Sequence, residues 1–374
     1  MLKKFLFPVF ILVISSLIFI YSPRLSQSVR PQSMQHQSFV QAKVVQVIRE
    51  NVEPDPRVPS VITGTQNLKI VIVEGKNKGK IVTLTNPLSR LHNVYLHKGD
   101  AFILMQRMTV HGVRYWVYNH IRSHAIYALF GLFVVLLLWF GGRKGLNALV
   151  SLYFTVALII GVLIPALFAG IYPLFITTAL ISIKIVVNYI LVSGYNLKSL
   201  CAMIGTLLGV VIAGIVAQVF GHFAYLSGIY LDKSVDIIYL SSQPINISWL
   251  LFTAIMISAL GAVMDVAISI SSAYHELQEK NSDLTPNELR CASMNIGKDI
   301  MGTMTNTLIL AMAGGMLTSM MMVWGLDMPV TQFINTPFVA VALVQALAGS
   351  IGIVLTIPFT AFICSWIYPK FRHI

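Results

Sequence analysis

Long apolar runs follow one another along most of the chain and predict a helical membrane protein. The hydrocarbon core of a bilayer is about 30 Å thick, so a spanning helix needs about 20 mainly apolar residues. Eight runs of roughly this length are present. They cover residues 5–21, 123–140, 146–165, 173–192, 199–220, 247–271, 303–326 and 337–367. We therefore expect about eight transmembrane helices.

The first run has features of both a membrane anchor and a secretory signal peptide. Lys3 and Lys4 precede it, as is usual for a signal peptide. The sequence Ser22-Pro23-Arg24 that follows lacks the small-residue pattern at which signal peptides are cleaved. We predict an uncleaved transmembrane anchor over residues 1–22, and a cleaved signal peptide is the alternative.

Between residues 40 and 120 the pattern changes to short segments of alternating polarity, separated by turn residues. Such alternation predicts β-strands. The expected strands cover residues 40–49, 66–74, 80–85, 101–109 and 113–119, and Asn86-Pro87 is one of the expected breaks. Five short strands fit a small barrel of the OB or SH3-like kind. The predicted fold is an all-α polytopic membrane protein with a small β-barrel-like extracytoplasmic insert at residues 36–122, followed by a seven-helix transmembrane domain at residues 123–374.

The positions of Lys and Arg predict that both chain termini are cytoplasmic, because short cytoplasmic loops are enriched in these residues. The short outer loops then contain only Lys233. Fourteen further basic residues lie within residues 24–122, but a segment of this length crosses the membrane largely regardless of its charge. The expected inner side contains ten basic residues: Lys3, Lys4, Arg143, Lys144, Lys198, Lys280, Arg290, Lys298, Lys370 and Arg372.

The composition supports a membrane protein and excludes several other classes. Of the 374 residues, 56% are hydrophobic and only 11% are charged, whereas soluble domains are about 25% charged. The net charge of +12 therefore indicates loops beside a lipid bilayer, and we expect no nucleic-acid partner. Three cysteines cannot form a disulfide framework, and the histidines show no zinc-ligand spacing. No enzyme motif or cofactor motif is found, so we expect no enzymatic activity, metal or cofactor.

Two charged residues lie inside predicted membrane helices. Lys184 is near the middle of the fourth run, with Asn188 one turn later on the same face, and Asp265 lies in the sixth run. A charge at the centre of a membrane helix costs about 2.5 to 3.5 kcal/mol on insertion scales, so each needs a partner or a wet cavity. These residues are therefore the first candidates for a functional site.

Small and polar residues repeat at helical spacing on four of the predicted helices. Such stripes allow close helix contact and offer hydrogen bonds. The stripe around Asp265 contains Ser258, Gly261, Ala262, Ser269 and Ser272; the others contain Asp299, Gly302, Thr303 and Asn306; Gln345, Gly349, Gly352 and Thr356; and Gly205, Gly209 and Ala213. We expect Gly205, Gly209, Gly261, Gly302, Gly349 and Gly352 to be helix-packing residues.

Two interpretations of the polar residues remain open. In the first, the sixth, seventh and eighth helices line a polar chamber in which Asp265 binds a cation or proton and Lys184 is its counter-charge. Further candidate ligands are then Asn188, Ser269, Asp299, Asn306 and Gln345. In the second, the same residues form a structural hydrogen-bond network. For Asp299 a third interpretation is a place at the amino end of a helix, where the helix dipole favours an anion.

The predicted cytoplasmic loop at residues 273–298 is charged and amphipathic. Within it, Thr285 followed by Pro286 is typical of a helix start, with Thr285 as the N-cap. We expect a short helical hairpin at the cytoplasmic face, which serves as a connector or takes part in gating.

Two segments resemble the YibE/F-like family of bacterial multi-pass membrane proteins. They are GAVMDVAISISSAYHEL at residues 261–277 and GKDIMGTMTNT at residues 297–307. The anchor, the β-rich insert and the helical body are similar to the longer, YibE-type member. The resemblance implies a plasma-membrane protein without assigned activity, and a shorter YibF-type relative as a possible partner in a hetero-oligomer; a homo-oligomer is the other possibility. It implies no catalytic residues.

Three functions are compatible with these patterns. The preferred one is a transporter or permease component coupled to a proton or cation through Asp265. A membrane scaffold that binds a partner through the insert is the alternative. An intramembrane aspartyl protease requires two carboxylates that share a proton, which Asp265 and Asp299 could supply. The sequence Ala-Val-Met-Asp around Asp265 differs from the Gly-x-Gly-Asp pattern of those proteases.

Overall fold

Helices form most of the chain, and a five-stranded curled half-barrel sheet forms the remainder of its regular structure. The computed structural model describes residues 2–27, 37–109, 112–229, 234–240, 247–281 and 283–371. Lys233 and Arg372, on which the predicted orientation partly rests, lie outside these residues. The chain divides into two units. One is Pro31–Leu137, and the other combines Met1–Arg30 with Leu138–Ile374.

The strands of the first unit are β1 (Gln37–Pro54), β2 (Ile62–Ile72), β3 (Ile81–Leu88), β4 (Ala101–Thr109) and β5 (Gly112–His120). Their order in the sheet is β3-β2-β1-β4-β5, and all neighbours are antiparallel. Alternate residues such as Leu68, Ile70 and Phe102 point into one buried core. Among the described residues, β3 and β5 are not hydrogen-bonded to each other, so the sheet does not close. The predicted barrel is therefore an open half-barrel.

The predicted break at Asn86-Pro87 is wrong, because β3 continues through both residues. Proline is tolerated in this strand since β3 lies at the edge of the sheet, where one side needs no hydrogen-bond donor. Asn86 is buried, and its amide nitrogen donates to the carbonyl of Val94 at 2.8 Å. This bond ties the segment after β3 to the sheet.

The turn after β1 is held by a buried carboxylate, Asp55. Arg90 donates to it through Nε at 2.6 Å and Nη2 at 3.0 Å. The backbone amides of Arg57 and Val58 also donate to it, at 2.8 and 3.1 Å. The hydrogen bonds from Arg90 and then from Arg57 lower the pKa of Asp55 from 3.8 to about 2. The turn and the segment after β3 therefore depend on an ionised carboxylate.

The helices are α1 (Leu2–Gln27), α2 (Ser123–Leu158), a π-helix (Ile159–Leu163), α3 (Ile164–Phe168), α4 (Pro173–Ser193), α5 (Leu197–Phe223), α6 (Ser234–Leu240), α7 (Ile247–Lys280), α8 (Pro286–Gly315), α9 (Leu317–Gly325), α10 (Val330–Asn335) and α11 (Pro337–Phe371).

Among the described residues, five helices are long and apolar enough to cross a membrane, or six if α8 and α9 form one bent span. The count of eight is therefore not confirmed. The second and third predicted runs lie in the stretch Ser123–Phe168, in which two helices meet at a kink at Gly142. The apolar part of α1, Leu6–Ser22, is shorter than a full span. The seventh predicted run is bent by 61° between α8 and α9.

The predicted loop at residues 273–298 is mostly helical. The helix α7 continues to Lys280 and α8 begins at Pro286, so only a short connection separates them. The predicted N-cap is confirmed: the Thr285 hydroxyl accepts from the backbone amide of Glu288, and the Glu288 carboxylate accepts from the backbone amide of Thr285 at 2.8 Å. The cap fixes the residue at which α8 begins.

Close packing of α5 against α11 forms the centre of the helical unit. A Cβ atom at Gly205 or Gly209 would overlap the hydroxyl of Thr360 or Thr356. A Cβ at Gly352 would lie 2.7 Å from the Cβ of Ala213. These glycines therefore permit a helix separation that any larger residue would increase.

Candidate functional site

The helix α7 is covered by neighbours on two sides of the face that bears Asp265. On one side is α4, whose Lys184 Nζ lies 3.2 Å from Met264 Sδ and whose Thr177 hydroxyl lies 2.9 Å from that of Thr253. On the other side is α8, where a Cβ at Gly297 would lie 3.2 Å from Ile270 Cδ1.

Gly261 and Asp265 project between these two sides, because successive residues turn by about 100° around a helix. Both are exposed, and no atom lies within 4 Å of a Cβ built at Gly261. Within the described residues, Asp265 thus opens onto the surface of the helical unit. Among the described residues, the enclosed chamber that the stripes predicted is not formed around Asp265.

The polar stripe of α8 is exposed, and along the helix axes it lies at the level of Asp265 on α7. Gly297 lies against Ile270, and the two helices run antiparallel. Gly302, five residues after Gly297, therefore reaches the level of Asp265, five residues before Ile270. Asp299, Gly302, Thr303 and Asn306 are all exposed. We name the exposed strip of α7 formed by Gly261 and Asp265 the α7 groove. On α8, Gly302, Thr303 and Asn306 lie about 140°, 240° and 180° around the helix from Gly297, which contacts α7, so they form a separate exposed face.

Asp299 does not lie at the amino end of a helix, so that interpretation is wrong. It is the fourteenth residue of α8, roughly 20 Å from the first residue of that helix at a rise of about 1.5 Å per residue. The dipole effect is confined to the first turn of a helix. Asp299 is instead an exposed carboxylate about one turn from Gly302 along the same stripe.

Lys184 and Asp265 are neighbours without direct contact. They interact electrostatically. No salt bridge joins them in the part of the chain that the structure describes. The ammonium has three donors, and the acceptor recorded for it among the described residues is the thioether of Met264. The charge of Asp265 is thus weakly compensated, and its carboxylate stays available to a ligand.

Three other predicted ligands are engaged in hydrogen bonds elsewhere. The Asn188 side-chain oxygen accepts from the Ser151 hydroxyl at 2.5 Å, so Asn188 faces α2. Gln345 donates to the Ser258 hydroxyl at 3.3 Å and joins α11 to α7. The Ser269 hydroxyl donates to the backbone carbonyl of Asp265 at 2.7 Å, within α7. These bonds serve helix packing and helix geometry.

The packing glycines fall into two groups. Close contacts surround Gly205, Gly209, Gly349 and Gly352, whereas the space beside Gly261 and Gly302 is open. Gly261 belongs to the α7 groove, and Gly302 lies on the exposed face of α8.

Sequence reasoning missed a buried hydroxyl pair beside Asp265. The Tyr189 hydroxyl donates to the backbone carbonyl of Met264 at 2.9 Å, and it lies 2.6 Å from the Thr206 hydroxyl. Both residues are buried, and their bonds join α4, α5 and α7. A tyrosine in the middle of an aliphatic run was the available signal, since a buried phenol needs a hydrogen-bond partner. The pair fixes the backbone immediately before Asp265.

The α7 groove can bind a proton or a cation. A carboxylate that opens outward from a membrane helix would meet acyl chains, at a cost of about 2.5 to 3.5 kcal/mol, unless water or another protein segment covers it. Protonation removes this cost, and a carboxylate oxygen is also a suitable ligand for a hard cation.

The comparisons with known proteins give one family. A family model described as YibE/F-like protein matches residues 129–370, which include the whole α7 groove. Neither the curated proteins nor the solved structures give a match.

Proposed function

This chain belongs to the YibE/F-like family, and we propose that it is a membrane transporter or permease component coupled to a proton or cation through Asp265. The observation that supports this function most strongly is the exposure of an acidic side chain on an apolar helix long enough to cross a membrane. Ionisable residues inside membrane helices are rare and often mark ion pathways or proton relays.

In the proposed mechanism, Asp265 alternates between an ionised and a protonated or cation-bound form. Lys184 on α4 attracts the ionised carboxylate electrostatically. Because no salt bridge fixes the two groups, a proton or cation competes with an electrostatic attraction alone. Binding of a proton or cation neutralises the Asp265 carboxylate, which allows the groove to face a less polar environment such as the bilayer interior.

The groove is open on one side, so we propose that a second polypeptide completes the pathway. A segment with small residues fits best, since Gly261 and Gly302 leave room for close approach. The occupant is either a second copy of this chain or a shorter YibF-type relative. We further propose that both termini are cytoplasmic and that residues 24–122 are extracytoplasmic in a bacterial plasma membrane.

The experiment that tests the function is proton flux in proteoliposomes. The full chain is reconstituted, with its co-purifying partner if one is found, around a pH-sensitive dye, and a potassium gradient with valinomycin drives proton entry. We expect Asp265→Asn to reduce the flux at least ten-fold and Asp265→Glu to retain part of it. In parallel experiments a sodium or a potassium gradient is the driving force in place of the membrane potential. Flux that depends on one of these gradients indicates coupling to that cation, and flux that depends on neither indicates coupling to protons.

The matched control is Asp283→Asn, because Asp283 is exposed in the short connection between α7 and α8. It removes one negative charge outside the apolar helices and should leave the flux unchanged. An equal flux for wild type and Asp265→Asn, with both proteins folded, would exclude coupling through Asp265.

The scaffold alternative is favoured by one observation: among the described strands, β3 and β5 each have one unpaired edge. An open edge can pair with a strand of another protein. Expression of the anchor with the insert but without residues 138–374 tests this function. Restoration of the deletion phenotype by that shortened chain would favour the scaffold over the transporter.

We do not propose the protease. The electrostatic partner of Asp265 in the structure is Lys184, and Asp299 is not among the groups that affect it. Two carboxylates that share a proton would influence each other strongly.

A further inference from the structure

Two buried cysteines face each other across the close contact between α5 and α11. The two helices run antiparallel, and their contacts recur at steps of four residues on each helix. Three successive steps pair Ala213 with Gly352, Gly209 with Thr356, and Gly205 with Thr360. The next step pairs Cys201 with Cys364. The register of the helices therefore places the two thiols opposite each other.

The separation of the helices suits a disulfide at this step. A Cβ built at Gly205 would lie 3.0 Å from the Cβ of Thr360, one turn away from the cysteines. The Cβ atoms of a disulfide are about 3.5 to 4.5 Å apart. Cys201 and Cys364 are free thiols in direct hydrogen-bonding contact with each other. The bond can thus form without a large movement of either helix.

The cysteine pair lies in an apolar cluster near the ends of both helices. Cys201 is the fifth residue of α5, and Cys364 is the eighth from the end of α11. Both side chains are fully buried, and Tyr274 of α7 and Leu289 of α8 belong to the same cluster. The folded chain therefore shields both thiols from bulky reagents, so that only a small molecule can react with them.

Tyr368 of α11 connects the cysteine pair to the surface of the helical unit. Its hydroxyl is buried without a hydrogen-bond partner among the described residues, and it interacts electrostatically with both thiols. Its ring lies 5.9 Å from that of His275, whose side chain is 33% exposed. A small polar molecule that enters beside His275 can hydrogen-bond to this hydroxyl, which lies next to the thiols.

We propose that Cys201 and Cys364 are a reversible modification site, at which hydrogen peroxide or another small hydroperoxide converts the two thiols into a disulfide. One thiolate attacks a peroxide oxygen; an S–O bond forms, the O–O bond breaks, and the leaving oxygen takes up a proton to give water. The second thiolate attacks the oxidised sulfur, so that the S–S bond forms, the S–O bond breaks and a second water leaves. The peroxide is reduced, and the two thiols are oxidised.

The disulfide locks α5 to α11 at the end of the helices that the proposed orientation places on the cytoplasmic side. Disulfides in the cytosol are usually transient and often redox-sensing, because cellular thiols reduce them. The bond joins two residues far apart in the chain, so it also slows unfolding. The site uses the proposed orientation for its compartment only, and it does not depend on transport.

Thiol counting on the full chain in nanodiscs tests the site. The starting variant is Cys291→Ser, because Cys291 is exposed and reacts independently of the pair. After treatment with hydrogen peroxide the protein is denatured, its free thiols are alkylated with iodoacetamide, and the labels are counted by mass spectrometry. We expect both remaining cysteines to be labelled before peroxide and neither afterwards, with recovery by dithiothreitol. Digestion should yield a peptide pair joined through Cys201 and Cys364.

Cys201→Ser in the same background is the matched control, because it leaves Cys364 without a partner. This variant should keep most of its label at the same peroxide concentration. Wild type shows that the concentration is effective, since Cys291 is oxidised there. Full labelling of Cys201 and Cys364 at that concentration would overturn the proposal. An equal loss of label at Cys364 with and without Cys201 would also overturn it, because the thiols would then react separately.

The lock has a readout of its own, the rate of unfolding in SDS measured by far-UV circular dichroism. The oxidised Cys291→Ser variant should unfold at least about ten-fold more slowly than its reduced form, and dithiothreitol should remove the difference. Equal rates would exclude a lock. None of these results depends on proton flux, so the site and the transporter can fail separately.

Discussion

Gly352 lies where α11 crosses α5, and Gly352→Ala perturbs that contact with the smallest possible side chain. The new Cβ would lie 2.7 Å from Ala213 Cβ and 2.9 Å from the backbone oxygen of Gly209. Ordinary contact begins at 3.4 Å, so the shortest pair must separate by 3.4 − 2.7 = 0.7 Å. Neither neighbour can rotate away, because one is a β-carbon and the other is backbone. The helices themselves must move.

Overpacking of this kind costs about 1 to 3 kcal/mol. Alanine also favours a helix over glycine by up to about 1 kcal/mol, which offsets part of that cost. Gly131→Ala in α2 is the control, because no atom lies within 4 Å of a Cβ built there. It has the same gain in helix propensity without the overlap, so the difference between the two variants gives the cost of the overlap alone. We therefore expect Gly352→Ala to be about 1 to 3 kcal/mol less stable than Gly131→Ala.

The free energy of unfolding can be measured on the full chain in mixed micelles, by titration with SDS and far-UV circular dichroism. The double variant Ala213→Gly with Gly352→Ala should recover part of the loss, because it removes the 2.7 Å contact and leaves the 2.9 Å contact with Gly209. If Gly352→Ala and Gly131→Ala agree within about 0.5 kcal/mol, the helices tolerate the extra carbon and the argument from close packing is refuted.

Two further predictions concern polar contacts. The pKa of Asp55 is depressed to about 2, so its contribution to stability is present above pH 3.8 and is lost as the pH falls towards 2. Hydrogen exchange of the full chain should show protection around Arg90 down to about pH 4, with Asp55→Asn unprotected even at neutral pH; equal protection in both would contradict the assignment. Tyr189→Phe removes the bond to Met264 and should cost about 1 kcal/mol in the SDS assay, against no change for the exposed Tyr127→Phe. A loss as small as that of Tyr127→Phe would show that the bond does not stabilise the fold.

Local patterns alone predicted much of the architecture. The alternation of polarity located all five strands, with β4 at its observed bounds, because a strand with one buried face alternates with a period of two. Thr285 was identified as an N-cap since the capping interaction involves residues only three apart. The resemblance to the YibE/F-like family, based on residues 261–277 and 297–307, is confirmed by the family match.

The span count shows a limit of hydropathy. Two apolar runs separated by Gly141-Gly142-Arg143-Lys144 predict two spans, and the structure has two helices that meet at a kink at Gly142 without a loop between them. Composition measures whether a segment tolerates lipid, and it does not determine where the backbone turns.

The sequence alone determined that α7 and α8 each have a polar face, because residue types recur at helical spacing. It also determined that Asp265 and Lys184 are charged residues inside predicted membrane helices. Only the tertiary structure decided that the faces of Asp265 and Gly302 stay open, that Asn188 turns to Ser151, and that Lys184 lies against Met264 of α7. The reason is that periodicity is a property of one helix, whereas burial depends on which neighbours reach each side of it, and those contacts join residues far apart in the chain.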